Sequence, residues 1–129
     1  MQNLATVLTK LAPSERMQTA VVFVSIDPDR DSLPAIRKWL DAASAEFIGL
    51  TGSRAALDSA QALVGFAPAI VRTGEPGTGA GAFVNHAAPV VVFTADDSAH
   101  VMYPFGTRQT DWERDLPRLL AVKPVAARR

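Results

Sequence analysis

Leu4, Val7, Leu8 and Leu11 fall at the i, i+3, i+4, i+7 spacing of one helical face. They predict an amphipathic helix from Asn3 to Leu11, which Pro13 and Ser14 end. The period then changes. Ala20–Ile26 is an almost unbroken apolar run rich in β-branched residues, the pattern of a strand covered on both faces. The acidic loop Asp27-Pro28-Asp29-Arg30-Asp31 follows directly. Ser32 offers an N-cap hydroxyl, Pro34 suits a first turn, and Ile36, Trp39 and Leu40 line the helix they open. Phe47–Leu50 reads as a short strand, and Ser53 caps a third helix running to about Val64, with Leu57, Ala60, Leu63 and Val64 on one face. Ala67–Ala82 is rich in Pro and Gly and reads as a loop. Val90–Thr94 and His100–Tyr103 flank Ala95-Asp96-Asp97-Ser98 as a hairpin, and Thr110 with Glu113 forms a capping box before a last helix to about Leu120. This order of elements predicts an α/β fold: three layers, a mixed sheet and flanking helices.

Composition narrows the function classes. A chain of 129 residues, 48% hydrophobic and 20% charged, is a single globular domain in size and character. We set the domain at residues 1–122, with 123–129 as a disordered tail ending in Arg128–Arg129. Thirteen basic residues balance thirteen acidic ones, so no global field recruits nucleic acid or an anionic membrane. No run approaches a membrane span, and no basic stretch leads into an apolar core as in an export signal, so the expected location is cytoplasmic. The absence of cysteine removes disulfides, thiol catalysis and thiolate metal ligation.

Candidate chemistry rests on a few polar residues. Asp27, Asp29, Arg30 and Asp31 lack the glycine and closing glutamate of a calcium loop, and shape a strand-to-helix turn in which Arg30 offsets charge. His100 with Asp96 and Asp97 is a solvated hairpin tip. Gly74–Gly81 has no Gly-Lys-Ser/Thr ending and no helix directly after it, so it is a flexible loop and not a phosphate cradle. Trp39 and Trp112 lie on helical faces as core anchors, and no Ser/His/Asp set supports hydrolysis.

Four segments in order carry a resemblance: VVFVSIDPDRD at Val21–Asp31, FIGLTG at Phe47–Gly52, Val84-Asn85-His86, and YPFGT at Tyr103–Thr107. With the first and last helices they resemble the Sco/SenC family, thioredoxin-like copper chaperones of cytochrome c oxidase assembly. The resemblance implies a thioredoxin-like fold and a copper site of two cysteines and one histidine. His86 matches the histidine, and Asp27 matches an acidic residue that supports the site. The family's Cys-x-x-x-Cys and the strand before it have no counterpart, and Met1 stands about where the sequence after the second cysteine would run. The fold is therefore expected to be incomplete, a truncated domain whose missing central strand would lie between those matching Ala20–Ile26 and Val90–Thr94. Those strands are then left to pair directly, to take up a partner or to drive homo-association.

The implied function is delivery of copper to the oxidase subunit that carries CuA, impaired here by loss of the thiolates, with no enzyme activity. Family members work in the periplasm or anchored to the inner membrane. Two alternatives stand beside it. One is a metal-free interaction module that keeps the family surface; the other is a peroxiredoxin-type redoxin, which the lack of cysteine opposes.

Overall fold

The computed structural model describes residues 1–67, 70–72, 83–85 and 88–125, with 70–72 and 83–85 as backbone. The chain divides into two compact units, Val21–Ala87 and the discontinuous pair Met1–Ala20 with Ala88–Arg129.

In the first unit, β1 (Val22–Val24) pairs in parallel with β2 (Ile48–Leu50), and α3 (Leu33–Asp41) makes the crossover between them. Ser32 starts α3 as expected, its Oγ accepting from the Ala35 N–H at 3.4 Å. Ile36 and Leu40 are buried against β2 together with Phe47. Gly49 makes that approach possible, because a β-carbon there would clash with Ile36 Cγ2 and lie 3.0 Å from Leu40 Cδ1. Arg37 closes the α3–β2 turn, donating to the carbonyls of Phe47 at 2.6 Å and Ser44 at 3.2 Å. Ser53 caps α4 (Arg54–Leu63), with Ala56 N–H donating to its Oγ at 3.3 Å. The helix ends at Gly65, φ +79°, where Gly65 and Phe66 donate to the carbonyls of Ala62 and Gln61. β3 (Ile70–Arg72) and β4 (Phe83–Asn85) then pair antiparallel.

The second unit joins both ends of the chain. α1 (Gln2–Thr9) buries Val7 and Leu8 and packs against α5 (Gln109–Leu120), which buries Trp112 and Leu116. Lys10 Nζ donates to Glu113 Oε1 at 2.5 Å. β5 (Val90–Phe93) and β6 (Ala99–Tyr103) form the antiparallel hairpin, with an irregularity between Val92 and Phe93.

Several expectations need correction. Pro13 does not merely stop α1; it opens a short helix α2 (Pro13–Met17), as proline can at a first helical position. Glu15 supports that start by accepting the Ala12 N–H at 2.9 Å. The loop assigned to Ala67–Ala82 contains β3, while residues 73–82 lie outside the described residues. β1 is shorter than Ala20–Ile26 and is not covered on both faces: Val22 and Val24 are exposed. On α4 only Leu57 is buried, and Leu63 is 89% exposed. α5 starts from Arg108 without a side-chain cap, because Glu113 is turned to Lys10 and Gln109 rather than back to a capping residue. Trp39 is 52% exposed and leans on Phe23 at a ring-centroid distance of 4.9 Å, so it is no core anchor. Trp112 is one.

Candidate functional site

A connected set of polar side chains lies where β1 ends. Ser25, fully buried, donates from its hydroxyl to Asp31 Oδ2 at 2.6 Å and accepts the Asp27 N–H at 3.1 Å. The Asp27 carbonyl accepts from the N–H groups of Arg30 at 3.2 Å and Asp31 at 2.9 Å. The acidic loop is thus a closed turn held by its own backbone and by one buried serine. Pro28, which has no N–H to place, sits inside that turn.

Asp27 is buried, and its carboxylate is occupied. Arg30 Nε pairs with its Oδ2, and Arg54 Nη2 stands 3.9 Å from Oδ1. Arg54 also donates to the Ile26 carbonyl at 2.6 Å and lies 3.5 Å from Asp29 Oδ2. Sequence reasoning missed Arg54. Its position at the start of a serine-capped helix was the available signal, since that placement aims the side chain back toward the strand end. Three carboxylates, Asp27, Asp29 and Asp31, meet two guanidinium groups, Arg30 and Arg54, so the corner carries a formal charge of −1. A cation approaching Asp27 meets both arginines first.

The hairpin turn is a separate and smaller cluster. Asp96 accepts from Thr94 Oγ1 at 2.5 Å, from the Ser98 N–H at 3.2 Å and sits 2.8 Å from His100 Nε2. The Thr94 hydroxyl, then His100, hold its carboxyl down at about 2. Asp97 turns away into the left-handed region at φ 59°. Asp96 therefore shapes the turn, and the solvated-tip reading fits it.

Copper can be tested against these donors. Cu(I) selects soft thiolates, and the chain has none. Among the described residues no three His, Cys, Asp or Glu side chains come together as a metal would require. Asp27 is engaged by arginines, and His86 lies outside the described residues. The donors described do not fit Cu(I). Among the described residues no helix is long and apolar enough to cross a membrane.

Comparison with known proteins adds an independent line. The profile of the SCO1/SenC family matches residues 1–121. Among solved structures, the apo Sco1 protein of Thermus thermophilus aligns with TM-score 0.77 and 25% identity, over 92% of this chain and 68% of its own. Copper-bound ScoI of Arabidopsis thaliana aligns with TM-score 0.73 and 18% identity, over 92% of this chain and 71% of its own. Copper-bound ScoI of Bradyrhizobium japonicum gives TM-score 0.71 and 18% identity, over 92% and 73% respectively. No curated protein matches the chain.

Proposed function

The chain belongs to the SCO1/SenC family and has the thioredoxin-like α/β fold of the Sco structures, and from that premise we propose that it acts in copper handling for the CuA centre of cytochrome c oxidase, in a form impaired in holding the metal alone. His86 is the ligand position in this reading and Asp27 the supporting carboxylate, with residues 1–122 acting as one domain. Family membership and the copper bound by two of the Sco relatives support the copper side. The absence of cysteine carries the impairment, because one imidazole and one carboxylate do not make a Cu(I) site. The thiolates this reading needs come from outside these 129 residues. The client is the oxidase subunit that bears CuA, and neither this reading nor the next includes a catalytic step.

A second reading, a metal-free interaction module, draws support from one surface. Val22, Val24, Ile48 and Leu50 all lie on one face of the β1–β2 ladder and are 42 to 49% exposed. That face, beside a strand whose ladder partner among the described residues is β2 alone, suits association with another chain or with a second copy.

Anaerobic titration of the chain with Cu(I) against a chromophoric Cu(I) chelator tests the impairment. The chelator should keep the metal at one equivalent. Quantitative transfer of copper to the chain would overturn the reading. Intact mass of the native product supplies the second arm: a species heavier than 13.7 kDa with a Cys-x-x-x-Cys segment would make it a complete chaperone.

A further inference from the structure

The ladder hydrogen bonds of β1 show which of its backbone groups are left over. The Ile48 N–H donates to the Val21 carbonyl, and the Ser25 N–H to the Leu50 carbonyl, both at 2.9 Å. Alternate residues of a strand turn their backbone groups to opposite sides, so Val21, Phe23 and Ser25 face β2. The N–H and C=O groups of Val22 and Val24 point the other way. Among the described residues β2 is the one strand paired with β1, so that outer edge is open.

Open edges are ordinarily guarded against pairing with their own copies by lysine, proline, an inward charge or a bulge. Val21–Ser25 reads VVFVS and has none of these side chains, and its register with β2 is regular. The surroundings of the edge are apolar too. Val22 and Val24 are nearly half exposed on one face. On the other, Phe23 meets Trp39 of α3, which is more than half exposed.

A second copy matches this edge group for group. Antiparallel pairing about a two-fold axis at Phe23 sets Val22 opposite Val24 of the copy, and Val24 opposite its Val22. Both are outward residues, so each such pair exchanges two N–H···O=C bonds and every outward group of Val22 and Val24 is satisfied. Phe23 then stands opposite Phe23 of the copy in the close, non-hydrogen-bonded position. Two Phe23–Trp39 pairs meet across the axis, where cross-strand aromatic contacts are favourable. With no charge in Val21–Ser25, the strand meets no like charge in its own copy.

We propose that this chain forms a two-fold dimer by antiparallel pairing of β1 with β1 of a second copy. The result is a four-stranded sheet whose one face carries Val22, Val24, Ile48 and Leu50 of both chains. This deepens the second reading above, on which it rests in taking the ladder as a contact surface, by naming the partner and the contact. It does not depend on copper.

The test uses the lack of native cysteine, since a single introduced thiol reports only on meetings between two chains. Under mild oxidation F23C should form a disulfide dimer, because the paired positions fall within disulfide reach. L50C should not, since Leu50 lies one strand further out on each side, roughly 14 Å from its copy. An equimolar mixture of V22C and V24C spares the aromatic pair and should give the mixed disulfide, which neither variant forms alone. Sedimentation of the wild type should show monomer passing to dimer with concentration. V24P deletes an outward donor and no β1–β2 bond, and should weaken the dimer at least about tenfold. A dimer that V24P leaves unchanged overturns the pairing. Cross-linking of L50C in place of F23C and the V22C–V24C mixture also overturns it, making the ladder faces the contact and leaving the second reading standing. A wild type that stays monomeric at every concentration overturns the second copy as the partner.

Discussion

Tyr103 is the only tyrosine in the chain, so its ionisation can be followed directly. Burial, and then its bond to the Asp115 carboxylate, push the phenol up from 10.0 to about 12. The native state thus holds this proton when the unfolded state has released it. Its contribution to stability is complete below pH 10 and is lost as pH rises toward about 12. Absorbance at 295 nm should show a midpoint near that upper value, and D115N should lower it; a midpoint of an ordinary exposed phenol would remove the Tyr103–Asp115 bond. At this scale sequence reading succeeded where chemistry is local and failed where it is not. Arg30 was read as offsetting the charge of its loop, and it pairs with Asp27; the burial of Asp27 was not foreseen. Arg54 was missed because its partner at Ile26 is 28 residues away and only its place at the start of a serine-capped helix hinted at the contact. Trp39 was misjudged because a helical face predicts which way a ring points, not how much of it a short strand can cover.

The β1–α3–β2 element depends on a single absent side chain. G49A would drive a methyl group into Ile36 and Leu40, two of the buried residues that hold α3 to the ladder. Neither is the flexible tip of a surface side chain, so relief requires α3 to shift. A loss of about 1–3 kcal/mol in denaturant unfolding is expected; an unchanged midpoint would mean that α3 does not sit this close. Element starts were legible when one residue determined them, as with Ser32 and Ser53. They were misread when the deciding partner was remote. Thr110 and Glu113 have capping-box spacing, but Lys10, 103 residues away, engages Glu113. Pro13 was read as an end because proline breaks helices, although the same ring is suited to begin one. β3 was lost among prolines and glycines: three residues are too few to set a period.

For the molecule as a whole, zero net charge and an exposed apolar ladder face favour self-association. Sedimentation velocity should show a weight-average coefficient that climbs with concentration for the wild type and climbs less for V24K/L50K. Equal behaviour of the two would exclude the β1–β2 face as the contact. The α/β class and the family were legible from the order of segments, because each spans only a few residues; the division into two units was not, since it depends on which distant segments meet. That division also sets an order of events during synthesis. The β1–α3–β2 element lies within 29 consecutive residues and can close while translation continues. α1 leaves the ribosome before the β1–α3–β2 element, yet its partner α5 is made after it. At about 5–20 residues per second, the 103 residues between Lys10 and Glu113 take roughly 5 to 20 s to appear. For that interval Val7 and Leu8 have no α5 to cover them, and the nascent chain presents to chaperones two apolar side chains that the finished protein buries.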